Sequence, residues 1–302
     1  MKRILIALAV LLSVQVADAQ TKTPEAAKKA VESAEAAAAN PKKAAKLATW
    51  TKLASAYMDA YSAPAGAAWL GASKQELQIL MGNQKPISTE NVVVAGDQLV
   101  KEVYADKEFY YNVNGQLAII NVTKPVVEDV LAKAAEAYRK AGELDTKGSK
   151  SKDIMAGLSN VASKYIDDGM NCYQFGDLAK ASQLFEKAAN VSAIAPLSKV
   201  DTTALYNAAY TAWAGKDYER AKNFFEKCLD ANYYYDGGEV FAKLGDVYTN
   251  LGDAKKGAET LEQGFVKFPQ SQSILIGLIN YYMTSGENTD RLFSLIDEAK
   301  KN

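Results

Sequence analysis

Residues 241–269 read FAKLGDVYTNLGDAKKGAETLEQGFVKFP, and the spacing of large and small residues in this run decides the fold. Phe241, Leu244, Gly245 and Tyr248 recur at helical intervals, and Gly252-Asp253 then supplies a turn. Gly257, Leu261, Gly264 and Phe265 recur in a second helix, which Pro269 stops. Antiparallel helices cross closely only where small side chains meet large ones, and this alternation supplies that match.

The pattern repeats. Upstream, Tyr165, Gly169, Cys172, Gly176-Asp177, Ala181, Phe185 and Ala188 keep the same internal spacing. Another copy runs through Leu205, Ala208, Ala209, Asp217-Tyr218, Ala221, Phe225, Cys228 and Leu229. In spacing and residue type these units closely resemble the tetratricopeptide repeat family. The equivalent small residues Ala181, Ala221 and Gly257 lie 40 and 36 positions apart, against a family period of about 34. Longer connections before Thr202 and around residues 233–238 absorb the excess. A last pair runs from Ile274 to Thr284 and, after a turn at Gly286, from Asp290 to Lys301. In its final helix Leu292, Phe293, Ile296 and Ala299 form the expected apolar stripe. Asp290, Arg291, Asp297, Glu298, Lys300 and Lys301 face outward as a solubilising cap.

The fold class expected is all-α, an antiparallel helix-pair solenoid of tetratricopeptide type with a small β-hairpin insertion in the N-terminal half. Residues 20–147 form a divergent helical region, 148–152 a polar linker and 153–302 the regular array. Thr23-Pro24 starts a first helix, and eleven of residues 25–48 are alanine, which favours helix but offers little area to bury. Asn40-Pro41 breaks it. A second helix carries Trp50, Leu53, Ala54 and Tyr57, and its expected partner is Pro125 to Leu144, where Ala134, Tyr138 and Ala141 resemble a repeat's second helix. Residues 63–124 then read as an insertion. Within it, Phe109 to Val113 and Gln116 to Ile120 flank Asn114-Gly115, the dipeptide of a two-residue hairpin turn. Such a turn pairs Val113 with Gln116, Tyr111 with Ala118 and Phe109 with Ile120. A lone ribbon is marginal, so it must either lie on helices or gain a strand, for which Asn91 to Ala95 is the candidate. The ribbon is either a structural flap or an exposed edge that accepts a partner strand.

The chain opens like an export signal over residues 1–19: Lys2-Arg3, an apolar run from Ile4 to Val16, and Ala17-Asp18-Ala19 as cleavage site. The run is too short to span a bilayer, which needs about 20 residues. The mature chain is expected to be exported, periplasmic or extracellular, without an integral membrane segment. A net charge of −1 argues against nucleic acid, whose binding surfaces are basic. Cys172 and Cys228 read as interior thiols, with a disulfide between them undecidable from spacing.

Catalysis finds little support. The chain has no histidine, which removes the commonest general base. Ser149 and Lys152 have the spacing of a serine–lysine acylation pair but lie in the polar linker. No phosphate-cradling glycine motif occurs, and no cofactor or metal is expected. The resemblance instead implies a non-catalytic protein–protein interaction scaffold of the bacterial envelope, holding a peptide or protein partner in the concave groove. The first helix of each repeat would line that groove, with Ile166, Met170 and Tyr173, then Tyr206, Asn207, Tyr210 and Trp213. Asp246 and Asn250 follow, and Asn280 and Met283 come last. Tyr206, Tyr210 and Trp213 form one aromatic stripe, which either faces the groove or packs internally. The alternatives are an accessory subunit of an outer-membrane assembly or nutrient-uptake complex, and a glycan- or small-molecule-binding protein.

Overall fold

The computed structural model describes residues 21–82 and 84–299; the expected export signal lies outside them, as do Lys300 and Lys301. Helix α1 (Pro24–Ala39) starts at Thr23, whose side chain accepts the Ala26 amide, and Asn40 accepts the Lys42 and Lys43 amides to begin the short α2 (Pro41–Ala44). In α3 (Leu47–Ser62), Tyr57 donates its hydroxyl to Glu35 of α1 at 2.7 Å. Helix α4 (Lys74–Leu80) begins with a capping box between Ser73 and Glu76.

Next comes a four-stranded antiparallel meander, the expected hairpin (β3–β4) extended by two further strands: β1 (Ser88–Val94), β2 (Asp97–Val103), β3 (Lys107–Tyr111) and β4 (Leu117–Val122). Strand β2 escapes the sequence reading because Asp97, Gln98, Lys101 and Glu102 interrupt its apolar residues. The turn before it is Ala95-Gly96, both at positive φ, a two-residue turn with alanine where asparagine or glycine is usual. The hairpin register is corrected too. Phe109 faces Ile120 as expected, but Tyr111 faces Leu117, with an irregularity at Tyr110/Tyr111. The Asn112 amide donates to Gln116 O at 2.9 Å, enclosing a three-residue loop with Gly115 at φ +72°. The Asn112 side chain accepts the Asn114 and Gln116 amides, which favours this longer loop over a turn at Asn114-Gly115 alone.

One face of the sheet buries Phe109, Tyr111 and Leu117 against Leu77 of α4. Its other face buries Leu99, Tyr110 and Ile119. Helix α5 (Val130–Leu144) then returns to pack on α3, with Lys140 over the Trp50 ring at 4.4 Å.

The array follows as four helix pairs. These are α6 (Ser151–Gln174) with α7 (Leu178–Ser192), α8 (Thr202–Ala214) with α9 (Tyr218–Asp230), α10 (Glu239–Asn250) with α11 (Ala254–Lys267), and α12 (Gln272–Ser285) with α13 (Thr289–Ala299). Helix α6 starts inside the expected linker, because the Asp145 carboxylate gathers the Ser149 and Lys150 amides and the Ser151 hydroxyl. Ser149 is thereby part of a turn.

The inter-helix turns share one device. Asp177, Asp217 and Asp253 cap the second helices through the Lys180, Arg220 and Lys256 amides. Gly176, Lys216 and Gly252 precede them at positive φ. At the third crossing a Cβ on Gly245 would lie 2.7 Å from Leu261 Cγ, so the small–large pairing read from the sequence is physically required.

In α13 the stripe differs from expectation. Leu295 is fully buried beside half-buried Leu292 and Ile296, whereas Phe293 is 63% exposed. Positions 292, 295 and 296 share one helical face, and Phe293 lies round the helix from it. Arg291 also turns inward, holding Glu262 of α11 at 2.7 Å. No helix of the described residues is long and apolar enough to cross a membrane.

Candidate functional site

The first helices of consecutive pairs, α6, α8 and α10, bring their side chains together through rings. Tyr173 of α6 lies 6.5 Å from Tyr210 of α8, and Tyr210 lies 5.6 Å from Trp213, centroid to centroid. The Trp213 indole N–H donates to the Asp246 carboxylate of α10 at 2.6 Å. Tyr173 and Trp213 are half-buried and Asp246 is exposed. These side chains form a continuous strip, aromatic at one end and acidic at the other.

Two residues complete it that the sequence reading missed. Lys243 sits over the Trp213 ring at 3.8 Å and pairs with Glu239 at 3.1 Å. Glu239, Lys243, Asp246 and Asn250 follow i, i+4, i+7, i+11 spacing on α10, so one helical face carried the signal. The other is Tyr235, stacked on Tyr206 at 4.1 Å. Its signal was the tyrosine run at 233–235, noted only as a long connection. Tyr235 takes φ +51°, a conformation that needs surrounding contacts to hold it.

The remaining sequence candidates fall into three groups. Tyr206, Asn207 and Tyr210 are buried at 5%, 8% and 8% exposure, so they support the strip from beneath and do not offer open surface. Tyr206 packs internally, stacked on Tyr235 of the 233–235 loop. Ile166 and Met170 are half-buried and pack into the same cluster. Asn250, Asn280 and Met283 are exposed; Asn250 bonds back to Asp246 O, while Asn280 and Met283 stand on α12.

Electrostatically the strip is neutral at its centre. Burial pushes the Tyr210 phenol up to about 12, helped by Tyr173 beside it, and burial raises Tyr206 further. The phenols therefore stay protonated, and charge is confined to Glu239, Lys243 and Asp246. Nothing here resembles a nucleophile with its base. Cys172 and Cys228 are both free thiols, and burial pushes Cys228 up to about 12. Among the described residues no group of three or more ligating side chains could hold a metal ion.

The tetratricopeptide repeat family model matches residues 202–234, which comprise α8, α9 and the start of the loop that carries Tyr235. Among curated proteins none matches the chain. Similar solved structures include MamA AMB-1, at 17% identity and TM-score 0.37, covering 55% of this chain and 97% of that one. BtubC from P. vanneervenii is 15% identical at TM-score 0.40, covering 94% and 91%. The APC/C hetero-tetramer Cut9-Hcn1 is 11% identical at TM-score 0.33, covering 86% of this chain and 40% of that one. Superpositions this loose carry no argument about partner or activity. The chain carries the tetratricopeptide repeat, shown by the match at residues 202–234, within an array of helix pairs.

Proposed function

We propose that this protein is a non-catalytic scaffold that docks an extended peptide or helix of a protein partner on the strip formed by Tyr173, Trp213, Lys243 and Asp246. The observation that carries this reading is the pre-organisation of the strip. Trp213 is fixed from both sides, by Lys243 over its ring and Asp246 on its N–H, while buried Tyr206 and Tyr210 support it. Side chains already immobilised lose little entropy when a partner binds, which favours recognition. A half-buried tryptophan and tyrosine flanked by both charge signs suit a partner of mixed apolar and polar character. Export, and work in the bacterial envelope, belong to the same proposal and rest on the reading of residues 1–19.

The glycan reading is weaker, since Lys243 occupies one face of the ring that a sugar would stack on. The test is a crosslinking pull-down from the native envelope, comparing wild type with Trp213→Ala/Asp246→Ala. Tyr206 and Tyr210 are unsuitable as surface variants because they are buried. A partner captured by wild type and lost by the folded variant supports the strip; equal capture moves the site elsewhere.

A further inference from the structure

Among the described residues, one edge of the four-stranded sheet is covered and the other is not. On the outer side of β4, Gly71 donates to Leu117 O at 2.7 Å, and Leu117 donates to Ala72 O at 2.8 Å. Ser73 bridges Gln116, and the Asn171 side chain of α6 donates to Ile120 O at 2.9 Å. Strand β1 pairs on one side only, with β2, through Ser88↔Val103 to Val94↔Asp97. The two-residue turn at Ala95-Gly96 closes on Val94 and Asp97, which sets the ladder's phase. Ser88, Glu90, Val92 and Val94 direct their backbone groups to β2, and Thr89, Asn91 and Val93 direct theirs outward. Among the described residues no hydrogen bond reaches those outward groups.

Natural sheets protect an open edge with proline, lysine, a bulge or a covering segment. The seven residues of β1 contain no proline and no lysine, and their pairing with β2 runs without a register shift. Their one charge, Glu90, is exposed and shares Lys101 with Glu108, each at 3.7 Å, so two carboxylates meet a single lysine and one negative charge is left over beside the edge. Thr89, Asn91 and Val93 are all exposed, Val93 at 69%; Ile87, just before the strand, is 73% exposed, with its amide turned inward to Val103 O at 2.7 Å.

We infer that the β1 edge is a second docking site, independent of the repeat strip, which takes an extended, β-branched segment of a partner protein with a basic residue opposite Glu90. The backbone of Thr89, Asn91 and Val93 supplies affinity by adding a fifth strand, and the exposed side chains of Thr89 and Val93 receive alternate side chains of the incoming segment. A second copy of this chain suits the edge less well. An antiparallel self-pair that satisfies all three outward residues must centre on Asn91, with Thr89 opposite Val93. That register places the two Glu90 carboxylates diagonally on one face, where like charges repel. A strand with lysine at that place turns the repulsion into attraction.

The probe is a fluorescein-labelled eight-residue peptide, blocked at its C-terminus, alternating threonine and valine with one central lysine. Its glutamate counterpart is the charge control, and anisotropy on the full chain is the readout. Saturable binding is expected, at least threefold weaker for the glutamate peptide. Asn91→Pro should weaken it tenfold or more while leaving thermal unfolding unchanged, because proline is tolerated where the amide points outward. If that variant fails to fold, Val93→Lys, which leaves the backbone intact and protects the edge with charge, should produce the same loss. Absence of saturation with wild type, or full binding by a folded edge variant, overturns the proposal. A dimer in light scattering that disappears in Asn91→Pro overturns the choice of occupant in favour of a second copy.

Discussion

The Trp213 indole N–H and the Asp246 carboxylate, 33 residues apart, meet at 2.6 Å and tie the first helices of two successive repeats together. The bond is exposed, so its worth lies in orienting the indole more than in holding the fold. Asp246→Ala should lower unfolding free energy by only about 1 kcal/mol, measured by urea titration. A loss well above that would make the pair a structural post and weaken the docking proposal.

Tyr206 should behave in the opposite way. It is buried and stacks on Tyr235 at 4.1 Å. Tyr206→Ala should cost about 3 kcal/mol or more, since it opens a cavity in an aromatic cluster. A near-wild-type urea midpoint would show that the 233–235 loop does not close over it.

Gly245 and Leu261 test the register of the array. With a Cβ at Gly245 only 2.7 Å from Leu261 Cγ, Gly245→Ala should destabilise by about 1–3 kcal/mol. Leu261→Ala introduced on top should cost less than it does in wild type, giving a measurable coupling in a double-mutant cycle. Strict additivity would place the two residues apart.

Lys216 offers a gain. It occupies the left-handed position, at φ +63°, that Gly176 and Gly252 fill in the neighbouring turns. Lys216→Gly should raise stability by about 0.5–1 kcal/mol, the relief of backbone strain partly offset by glycine's greater freedom when unfolded. An unchanged or lower melting temperature would contradict the turn geometry.

Asp168 gives a pH dependence. Burial raises its carboxyl to about 6 from 3.8; the Tyr61 hydroxyl opposes the shift at 2.8 Å, nearby Asp167 adds to it, and Lys164 and Lys180 counter it. The folded chain therefore holds this proton over a range where the unfolded chain has released it. Stability falls as pH rises from about 4 to 6, and the full cost, on the order of 1–3 kcal/mol, stands above that window. Asp168→Asn keeps an acceptor for Tyr61 and should flatten that part of the pH profile. An unaltered slope between pH 4 and 7 would assign the dependence to other groups.

The sequence by itself determined the helix pairs of the array, because their signals are local. Caps such as Asp217, turns such as Gly252-Asp253 and the small–large alternation of Gly245 and Leu261 each specify structure within one unit. It also placed Trp213 and Asp246 on the first helices of adjacent repeats. Tertiary structure decided which side chains are open. Tyr206 and Trp213 share a helix and a residue class, yet the loop carrying Tyr235 covers one and leaves the other partly exposed. Local periodicity cannot foresee a covering segment that comes from another part of the chain. The sheet shows the same division: Asn114-Gly115 marked a hairpin, but Asn112 set its loop. Asn171, 51 residues from Ile120, helps to close the β4 edge, while among the described residues none pairs with the outer side of β1. An edge is defined by what fails to arrive beside it, and that is a property of the assembled fold.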